Sequence, residues 1–317
     1  MKVKELIEKF KDVKVLVVGD IFLDSYIFGT SSRISAEAPV PIVLFEKEEE
    51  RLGGAANVAL NVKNLTADVS LAGFIGQDQN GMKITDMLHA NKINYAGVVV
   101  SANFTITKER IMSNNHQITR IDFEKGAFRN INYSRLLQYI IQNSKDFELC
   151  IISDYNKGTV LNSVVESINS KIILADTKGN PEKYKGIRTI TPNINELVNI
   201  ATKYNVDVSQ PIYLIARSLL SILSLESIIV TMGERGAMLI TETEQIYQQA
   251  IANQVFDVSG AGDTFISAYS LAKYVGASNK QALAFSCISA SSVVAEIGTT
   301  PINLERILQI YGDIELE

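Results

Sequence analysis

Short apolar runs alternate along the chain with longer segments of helical periodicity. The runs at residues 14–19 (KVLVVG), 69–74, 149–153, 171–175 and 227–231 are rich in aliphatic side chains and predict buried strands. Strands that alternate with helices of ten or more residues are typical of a parallel sheet with helices on both faces. The pattern therefore predicts an α/β fold in which ligands bind at the carboxyl ends of the strands.

Helical periodicity fills much of the sequence between those strands. It predicts helices over residues 54–65 and 80–91 and a closing helix over 303–312. Residues 262–296 are almost continuously compatible with helix and are rich in Ala and Ser. Small side chains of this kind suit helices that pack closely together.

Two stretches interrupt the alternation of strand and helix. Residues 25–48 lack helical period and carry Pro39 and Pro41 between apolar positions, and residues 95–123 alternate apolar and polar side chains. Both predict extra strands that form a small lid outside the main sheet. The sequence shows no Gly-, Ser- or Pro-rich linker, so residues 1–317 are expected to form one domain with this lid. Exposed lid strands need a covered edge, which favours a homodimer through them.

Composition narrows the class of protein. The 317 residues are 46% hydrophobic and 21% charged with a net charge of −5, which is unfavourable for broad nucleic-acid binding. The amphipathic N-terminus does not resemble a signal peptide, and no apolar run reaches the roughly 20 residues that span a bilayer. Cys150 and Cys287 have no metal-ligand spacing. We expect a cytoplasmic protein with a small-molecule substrate and neither nucleic-acid nor membrane partners.

The segment at residues 257–265 (DVSGAGDTF) carries the strongest local chemical signal. Gly260, Ala261 and Gly262 precede an apolar helix, whose N-terminal amides form a natural anion site. Asp263 lies in the first turn, where a carboxylate can accept a proton from an attacking hydroxyl while the amides hold a phosphoryl group. From this segment alone, a helix cap after a tight glycine turn is an equally good interpretation.

Ordered motifs along the chain resemble the ribokinase-like (PfkB) carbohydrate kinases. The GAGD string at 260–263 resembles the C-terminal signature of that family, in which the Asp is the catalytic base. The string at 52–59 (LGGAANVA) resembles its N-terminal signature. The resemblance extends from about residue 12 to about residue 304. It implies a three-layer α/β/α sandwich with a mainly parallel sheet and a β lid, and ATP and Mg²⁺ as cofactors. A monovalent cation is a further candidate.

The resemblance also implies a nucleotide site. The NINE string at 193–196 resembles an N-x-x-E motif that positions Mg²⁺, largely through water, although the same pair is also a helix capping box. The TMGERG string at 231–236 resembles a T-x-G-x-x-G turn beside the nucleotide phosphates, or it only shapes a hairpin. The implied nucleotide and metal residues are Asn193, Glu196, Lys178, Thr231, Gly233, Gly236 and Cys287.

Longer strings resemble the subgroup of the family that acts on heptose 7-phosphate. They lie at residues 32–41 (SRISAEAPVP), 107–122 and 153–158 (SDYNKG). This likeness implies phosphorylation of O1 of D-glycero-β-D-manno-heptose 7-phosphate, a step in the synthesis of the lipopolysaccharide-core precursor ADP-heptose. Basic lid residues suit the acceptor phosphate, unless they form a solvated strand face. The implied acceptor residues are Asp20, Asp24, Gly53, Gly54, Asn57, Arg33, Lys108, Arg110, Arg120 and Asp154.

Departures from the family pattern leave alternatives open. Ala36 and Thr177 stand where relatives often have Pro, and Cys287 and Glu296 stand where many have Asn and Lys, so nucleotide preference is undecided. A kinase for fructose, ribose, keto-deoxygluconate or a nucleoside shares the same base and metal site. A non-catalytic nucleotide- or sugar-binding regulator is disfavoured by the intact Asp263. A dinucleotide oxidoreductase lacks G-x-G-x-x-G after the first strand.

Overall fold

Two β-sheets organise the part of the chain that the structure describes. The computed structural model describes residues 1–114, 116–128, 131–178, 180–251, 257–295 and 298–316, so Glu296 lies outside it. Within these ranges a nine-stranded sheet forms the body and a four-stranded sheet forms the lid. The strands are β1 (Lys14–Gly19), β2 (Ile21–Ile34), β3 (Pro41–Gly54), β4 (Asp68–Gly76), β5 (Asn94–Ala102), β6 (Ile106–Ser113), β7 (His116–Phe123), β8 (Leu149–Asp154), β9 (Ile172–Thr177), β10 (Thr189–Ile190), β11 (Ser227–Thr231), β12 (Ala237–Ile240) and β13 (Gln245–Gln248).

Helices cover both faces of the large sheet. Among the described residues, none of them is long and apolar enough to cross a membrane. The helices are α1 (Val3–Glu8), α2 (Ala55–Asn64), α3 (Gln79–Ala90), α4 (Ser134–Asn143), α5 (Asn162–Glu166), α6 (Ile194–Lys203), α7 (Ile212–Leu223), α8 (Ala261–Tyr274), α9 (Asn279–Val293) and α10 (Leu304–Tyr311).

The main sheet has the order β13-β12-β11-β10-β9-β8-β1-β4-β5. Its strands are parallel from β11 to β5, and β12 and β13 join antiparallel at one edge. Strand β1 shows why both faces are apolar: Val15 and Val17 belong to one core cluster, while Leu16 and Val18 belong to the other. Successive side chains point to opposite faces, so a continuous apolar run fits a strand with helices on both sides. The predicted mainly parallel α/β sheet is confirmed.

Helices α8 and α9 share the region that reads as almost continuous helix in the sequence. Gly276 adopts a positive φ of 90° after α8, and Ser278 then caps α9 by accepting from the backbone N–H of Gln281. The break lets the two helices pack against each other. The N-terminus of α8, at Ala261, lies at the carboxyl edge of the sheet.

The lid has the order β3-β2-β6-β7, but its predicted boundaries need a correction. Strand β5, at the start of the predicted 95–123 segment, pairs in parallel with β4 at the edge of the main sheet. An edge strand alternates apolar and polar residues as a lid strand does, so the pattern cannot separate the two. The hairpin of β2 and β3 is also longer than the predicted 25–48, because its pairing continues to Ile21 and Gly54 at the base of the lid.

Candidate active site

Two pockets meet at the carboxyl edge of the main sheet. The larger has a volume of about 570 Å³ and the smaller, beneath the lid, about 220 Å³. Asp176, Lys178, Val258 and Gly262 line both of them. The N-terminus of α8 therefore stands at the junction of two compartments that can hold two different molecules.

Asp263 lies at this junction in the first turn of α8. Gly260 precedes the helix with a φ of +78°, a conformation that favours glycine. The Asp263 carboxylate is 2% exposed, and each of its oxygens accepts one hydrogen bond. Asn57 Nδ2 donates to Oδ2 over 2.8 Å, and the Tyr155 hydroxyl donates to Oδ1 over 2.9 Å. The carboxylate is thus held beside the helix amides that can bind an anion.

Burial sets the acidity of Asp263. Desolvation raises the pKa of Asp263 to about 7, against the opposing effect of the Asn57 hydrogen bond. The charge of Asp176 raises this pKa further, while Lys178 and the Tyr155 hydrogen bond lower it. A carboxyl group whose pKa lies near neutral pH is well matched to general-base catalysis.

The larger pocket contains every residue that the sequence assigned to the nucleotide. Thr191, Ile251, Phe265 and Val294 also line it and were not assigned. Apolar walls with a few polar groups at one end are typical of small-molecule sites. The predicted residues found here are Asn193, Glu196, Lys178, Thr231, Gly233, Gly236 and Cys287.

Asn193 and Glu196 form a reciprocal cap on α6 as well as lining the pocket. The Glu196 N–H donates to Asn193 Oδ1 over 2.9 Å, and the Asn193 N–H donates to Glu196 Oε2 over 2.8 Å. Burial raises the pKa values of both Glu196 and Asp176. The capping interpretation is therefore correct, and it fixes the two side chains on the wall of the larger pocket.

The oxygen donors of this wall fit Mg²⁺ better than a transition metal. Asp176, Asn193 and Glu196 supply side-chain oxygens. Within the described ranges, no group of three or more His, Cys, Asp or Glu residues is arranged to hold a metal. Mg²⁺ needs no such cage, because it keeps several waters and binds through substrate phosphates.

The smaller pocket is strongly charged. Asp24 accepts from Arg110 at Oδ1 and from the Thr299 hydroxyl at Oδ2, the latter over 3.1 Å. Lys108 Nζ lies 4.2 Å from the centroid of the Phe22 ring. Arg120, on strand β7, binds both oxygens of Asp122. The predicted residues that line this pocket are Asp24, Gly54, Lys108, Arg110, Arg120, Lys178, Gly260, Gly262 and Asp263.

Gly53 and Gly54 end strand β3 where it passes close to β2. A Cβ on Gly54 would stand 2.3 Å from the carbonyl oxygen of Asp20, and the residue has a φ of +58°. A Cβ on Gly53 would stand 2.4 Å from the Phe22 ring. These glycines are therefore required by close packing at the base of the lid, and Gly54 also lines the smaller pocket.

Asp20 and Asp154 lie behind the smaller pocket, which corrects their predicted role as acceptor ligands. Asp20 is buried. Its carboxylate accepts hydrogen bonds from the backbone N–H groups of Tyr155, Lys157 and Thr159 over 2.9, 3.0 and 2.9 Å. Asp154 accepts from the Lys183 ammonium over 2.6 Å and from the Tyr184 hydroxyl. The Asp20 oxygens thus hold the 155–159 loop, and Asp154 joins the Asn156 N–H of that loop to Lys183 and Tyr184.

Arg33 is also placed differently from its prediction. It is exposed near the end of β2, opposite Ile42, and does not line either of the two pockets. The lid strand is long, so a side chain at its tip stands far along the strand from Asp24 at its base. The resemblance of the surrounding string cannot show this distance.

Several site residues were missed from the sequence. Asp176 is near the carboxyl end of β9 and Tyr155 follows β8, so both occupy the sheet edge where ligands bind. Their position at the carboxyl ends of predicted strands is the sequence signal that could have identified them. Thr299 reaches Asp24 from the segment before α10, and no local pattern marks it.

Comparison with known proteins agrees with this geometry. Residues 13–306 match the model of the pfkB family carbohydrate kinases. The chain is 37% identical to the bifunctional protein HldE of Haemophilus influenzae strain PittEE over 302 residues, 93% of this chain and 63% of that protein. It is 36% identical to the protein of the same name from Koribacter versatilis over 305 residues, covering 94% and 63%. The chain thus spans less than two thirds of the length of these relatives.

Solved structures share the fold at low sequence identity. An Arabidopsis thaliana ribokinase complexed with ribose and ATP superposes with a TM-score of 0.72 at 21% identity, covering 92% of this chain and 96% of that one. The Escherichia coli phosphofructokinase-2 in complex with potassium gives a TM-score of 0.76 at 18% identity, covering 95% and 98%. The ribokinase-like fold expected from the motifs is confirmed. By its family match, the chain belongs to the pfkB carbohydrate kinases, which transfer a phosphoryl group to a sugar hydroxyl.

Proposed function

We propose that this kinase uses ATP to phosphorylate O1 of D-glycero-β-D-manno-heptose 7-phosphate in the synthesis of ADP-heptose. The observation that carries the proposal is the position of Asp263 between a mainly apolar pocket and a charged one. The likeness to the HldE proteins and the heptose-type strings of the lid support this acceptor. We further propose a cytoplasmic location, supported by buried free Cys150 and Cys287.

The residues of the chain account for the transfer. ATP binds in the larger pocket with its terminal phosphate toward the N-terminus of α8, whose amides stabilise the charge on the phosphoryl group. Asp263 accepts the proton of the acceptor hydroxyl as the bond from O1 to the γ-phosphorus forms and the bond to the ADP oxygen breaks. Asn193 and Glu196 would hold Mg²⁺ beside the ATP phosphates, where it would neutralise part of their charge. Lys178 lines both pockets and adds a cation where they join.

The charges of the smaller pocket favour an acceptor that is itself anionic. Arg110 is neutralised by Asp24. Within the described part of the chain, Lys108 contacts the Phe22 and Tyr155 rings and forms no ion pair. Burial lowers the pKa of Lys108, because desolvation disfavours its charged ammonium form. A bound anion would offset that desolvation. Arg120, at the lid side of the same pocket, is paired with Asp122, but its side chain is 45% exposed and so remains accessible to a ligand. These cations suit a sugar phosphate better than a neutral sugar.

We also propose that two copies pair through their lids. The lid is an open sheet whose outer strands are β3 and β7. Its exposed apolar side chains include Phe45 at 67%, Ile34 at 65% and Phe123 at 49% exposure. A second lid would cover both the strand edges and these side chains. Light scattering should give a dimer that Phe45→Glu weakens, and a monomeric wild-type protein would contradict the pairing.

The acceptor can be tested by measuring ADP release with Mg-ATP. The panel is heptose 7-phosphate, fructose 6-phosphate, fructose, ribose, keto-deoxygluconate and adenosine, with Asp263→Asn as the background control. Turnover that is strong only with heptose 7-phosphate supports the proposal. Turnover with a neutral sugar keeps the kinase and its base but removes the phosphate site. Folded protein that binds ATP without turnover on any acceptor would instead indicate a regulator.

A further inference from the structure

Tyr155 connects Asp263 to both the lid and the main sheet. Its hydroxyl donates to Asp263 Oδ1 over 2.9 Å. Its ring meets the Phe22 ring edge-on at 5.0 Å between centroids. Lys178 Nζ lies 4.0 Å from the ring centroid and Lys108 Nζ, from lid strand β6, lies 5.0 Å from it. The ring is thus held between cations from two parts of the fold.

The backbone of Tyr155 is fixed as firmly as its ring. The Tyr155 N–H donates to the Asp20 carboxylate, which also accepts from Lys157 and Thr159 in the same loop. Asp20 is fully buried directly after β1. The direction of the Tyr155 hydroxyl is therefore determined by the main sheet.

The Tyr155 hydroxyl acts toward Asp263 only as a hydrogen-bond donor. Burial, followed by the charge of Asp263, raises the pKa of Tyr155 well above its usual value, so the hydroxyl keeps its proton at working pH. With Asn57 on one carboxylate oxygen and Tyr155 on the other, each oxygen retains lone-pair capacity for an acceptor hydroxyl. Two donors on opposite oxygens leave the carboxylate little freedom to rotate.

We propose that Tyr155 is a positioning residue for the reaction, whose hydroxyl fixes the orientation of the Asp263 carboxylate. The proposal rests on the proposed function only through the role of Asp263 as the base. It assigns to Tyr155 neither proton transfer nor contact with the sugar. It predicts that loss of the hydroxyl lowers turnover while ATP binding is retained.

The charged surroundings predict the direction of the pH effect. Asp263 faces Asp176 and Lys178, and Tyr155 in addition faces Asp24 and Lys108. The bond from Tyr155 lowers the pKa of Asp263, so removal of that bond raises it. The acidic limb of the pH–rate profile should then move to higher pH.

The first test compares Tyr155→Phe with Tyr133→Phe. The Tyr133 hydroxyl donates to the Gly158 carbonyl of the same loop and has no contact with Asp263. We expect Tyr155→Phe to lower kcat about 10-fold, the scale of one hydrogen bond to a charged group, and to move the acidic limb upward. Tyr133→Phe should leave the limb in place. An equal change in both variants would indicate a role in loop structure only and would overturn the proposal.

A second test does not depend on the acceptor. Carbon-13 NMR of the aspartate carboxyls, with the Asp263 signal assigned by its loss in Asp263→Asn, measures the pKa of Asp263 directly. We expect it to rise in Tyr155→Phe and to fall when 3-fluorotyrosine, a stronger donor of similar size, replaces Tyr155 in a folded protein. Unchanged values in both variants would overturn the proposal. Absence of wild-type turnover on heptose 7-phosphate would instead refute the proposed acceptor.

Discussion

The larger pocket, proposed for the nucleotide, and the smaller one, proposed for the acceptor, share the N-terminus of α8 but are built differently. The larger pocket takes half of its polar side chains, Asn193, Glu196, Thr231 and Glu234, from two short strings at 193–196 and 231–236. The smaller pocket draws on lid strands β2, β6 and β7, on the loop after β8 and on Thr299. Residues close together in the sequence thus form much of the larger pocket, whereas the smaller pocket depends on contacts between distant parts of the chain.

The charges behave differently on the two sides as well. The smaller pocket contains the ion pair of Arg110 with Asp24, and Asp20 and Asp154 bind backbone N–H groups of the 155–159 loop beside it. The larger pocket combines its polar groups with apolar side chains such as Ile251, Phe265 and Val294. A charged residue on the acceptor side can thus serve the ligand, a neighbour or the scaffold, and the residue type alone does not distinguish these roles.

Replacing Asp263, the proposed base, should have the largest effect. Asp263→Asn keeps the shape of the side chain but removes its basicity, so we expect kcat to fall by at least ~10²-fold. ATP affinity, measured by calorimetry, should persist because the larger pocket is untouched. Asp207→Asn, on an exposed turn, is the control. Near-normal turnover in Asp263→Asn would remove this residue from the role of base.

The pH dependence tests the same group without mutation. The pKa of Asp263 is raised to about 7, and only the ionised form accepts a proton. Turnover should fall about 10-fold for each pH unit below that value and reach a plateau above it. A flat profile between pH 5 and pH 8 in a range where the protein stays folded would contradict the assignment.

The same pKa predicts how stability changes with pH. The folded-state pKa of about 7 lies above the reference value of 3.8, so the folded state binds the proton more tightly than the unfolded state. The Asp263 contribution therefore becomes less favourable as the pH rises through this window. Relative to wild type, Asp263→Asn should gain more thermal stability at pH 8 than at pH 4. Melting curves at both values test this, and an equal difference would contradict it.

Two glycine substitutions separate fold from chemistry. A Cβ on Gly262 would meet only Asp176 Oδ2, at 3.8 Å, so Gly262→Ala should fold normally and place a methyl group at the pocket junction. We expect a fall in kcat of about 10-fold or more with an unchanged melting temperature. Gly54→Ala, with its 2.3 Å approach to the Asp20 carbonyl, should instead lose stability. Normal kinetics for Gly262→Ala would mean that the phosphoryl group passes elsewhere.

Two arginine substitutions compare a buried ion pair with an exposed one in the smaller pocket. Arg110→Met leaves buried Asp24 without its partner, so we expect a loss of about 3–5 kcal/mol in the free energy of unfolding. Arg120→Met breaks an exposed pair and should cost less than about 1 kcal/mol. It should raise KM for heptose 7-phosphate roughly 10-fold and leave KM for ATP unchanged. An equal loss of stability in both variants would contradict the comparison.

Local motifs identified residues that the structure brings together around the N-terminus of α8. The strings at 193–196 and 231–236 line the larger pocket, and the predicted strand at 14–19 coincides with β1. The misplacement of β5 and of Arg33 has a common cause. Alternation of apolar and polar residues is the same for a main-sheet edge and for a lid, and it carries no information about distance along a strand.

The sequence by itself determined the α/β class, the family and the carboxylate that serves as candidate base, because each is encoded by periodicity or by residues close together in the chain. Tertiary structure alone decided which acidic residues line the smaller pocket. Asp24 lines the pocket while Asp20, four residues earlier, accepts three N–H groups from a loop more than 130 residues away. The partners of a buried carboxylate come from distant parts of the chain, and those partners set its role.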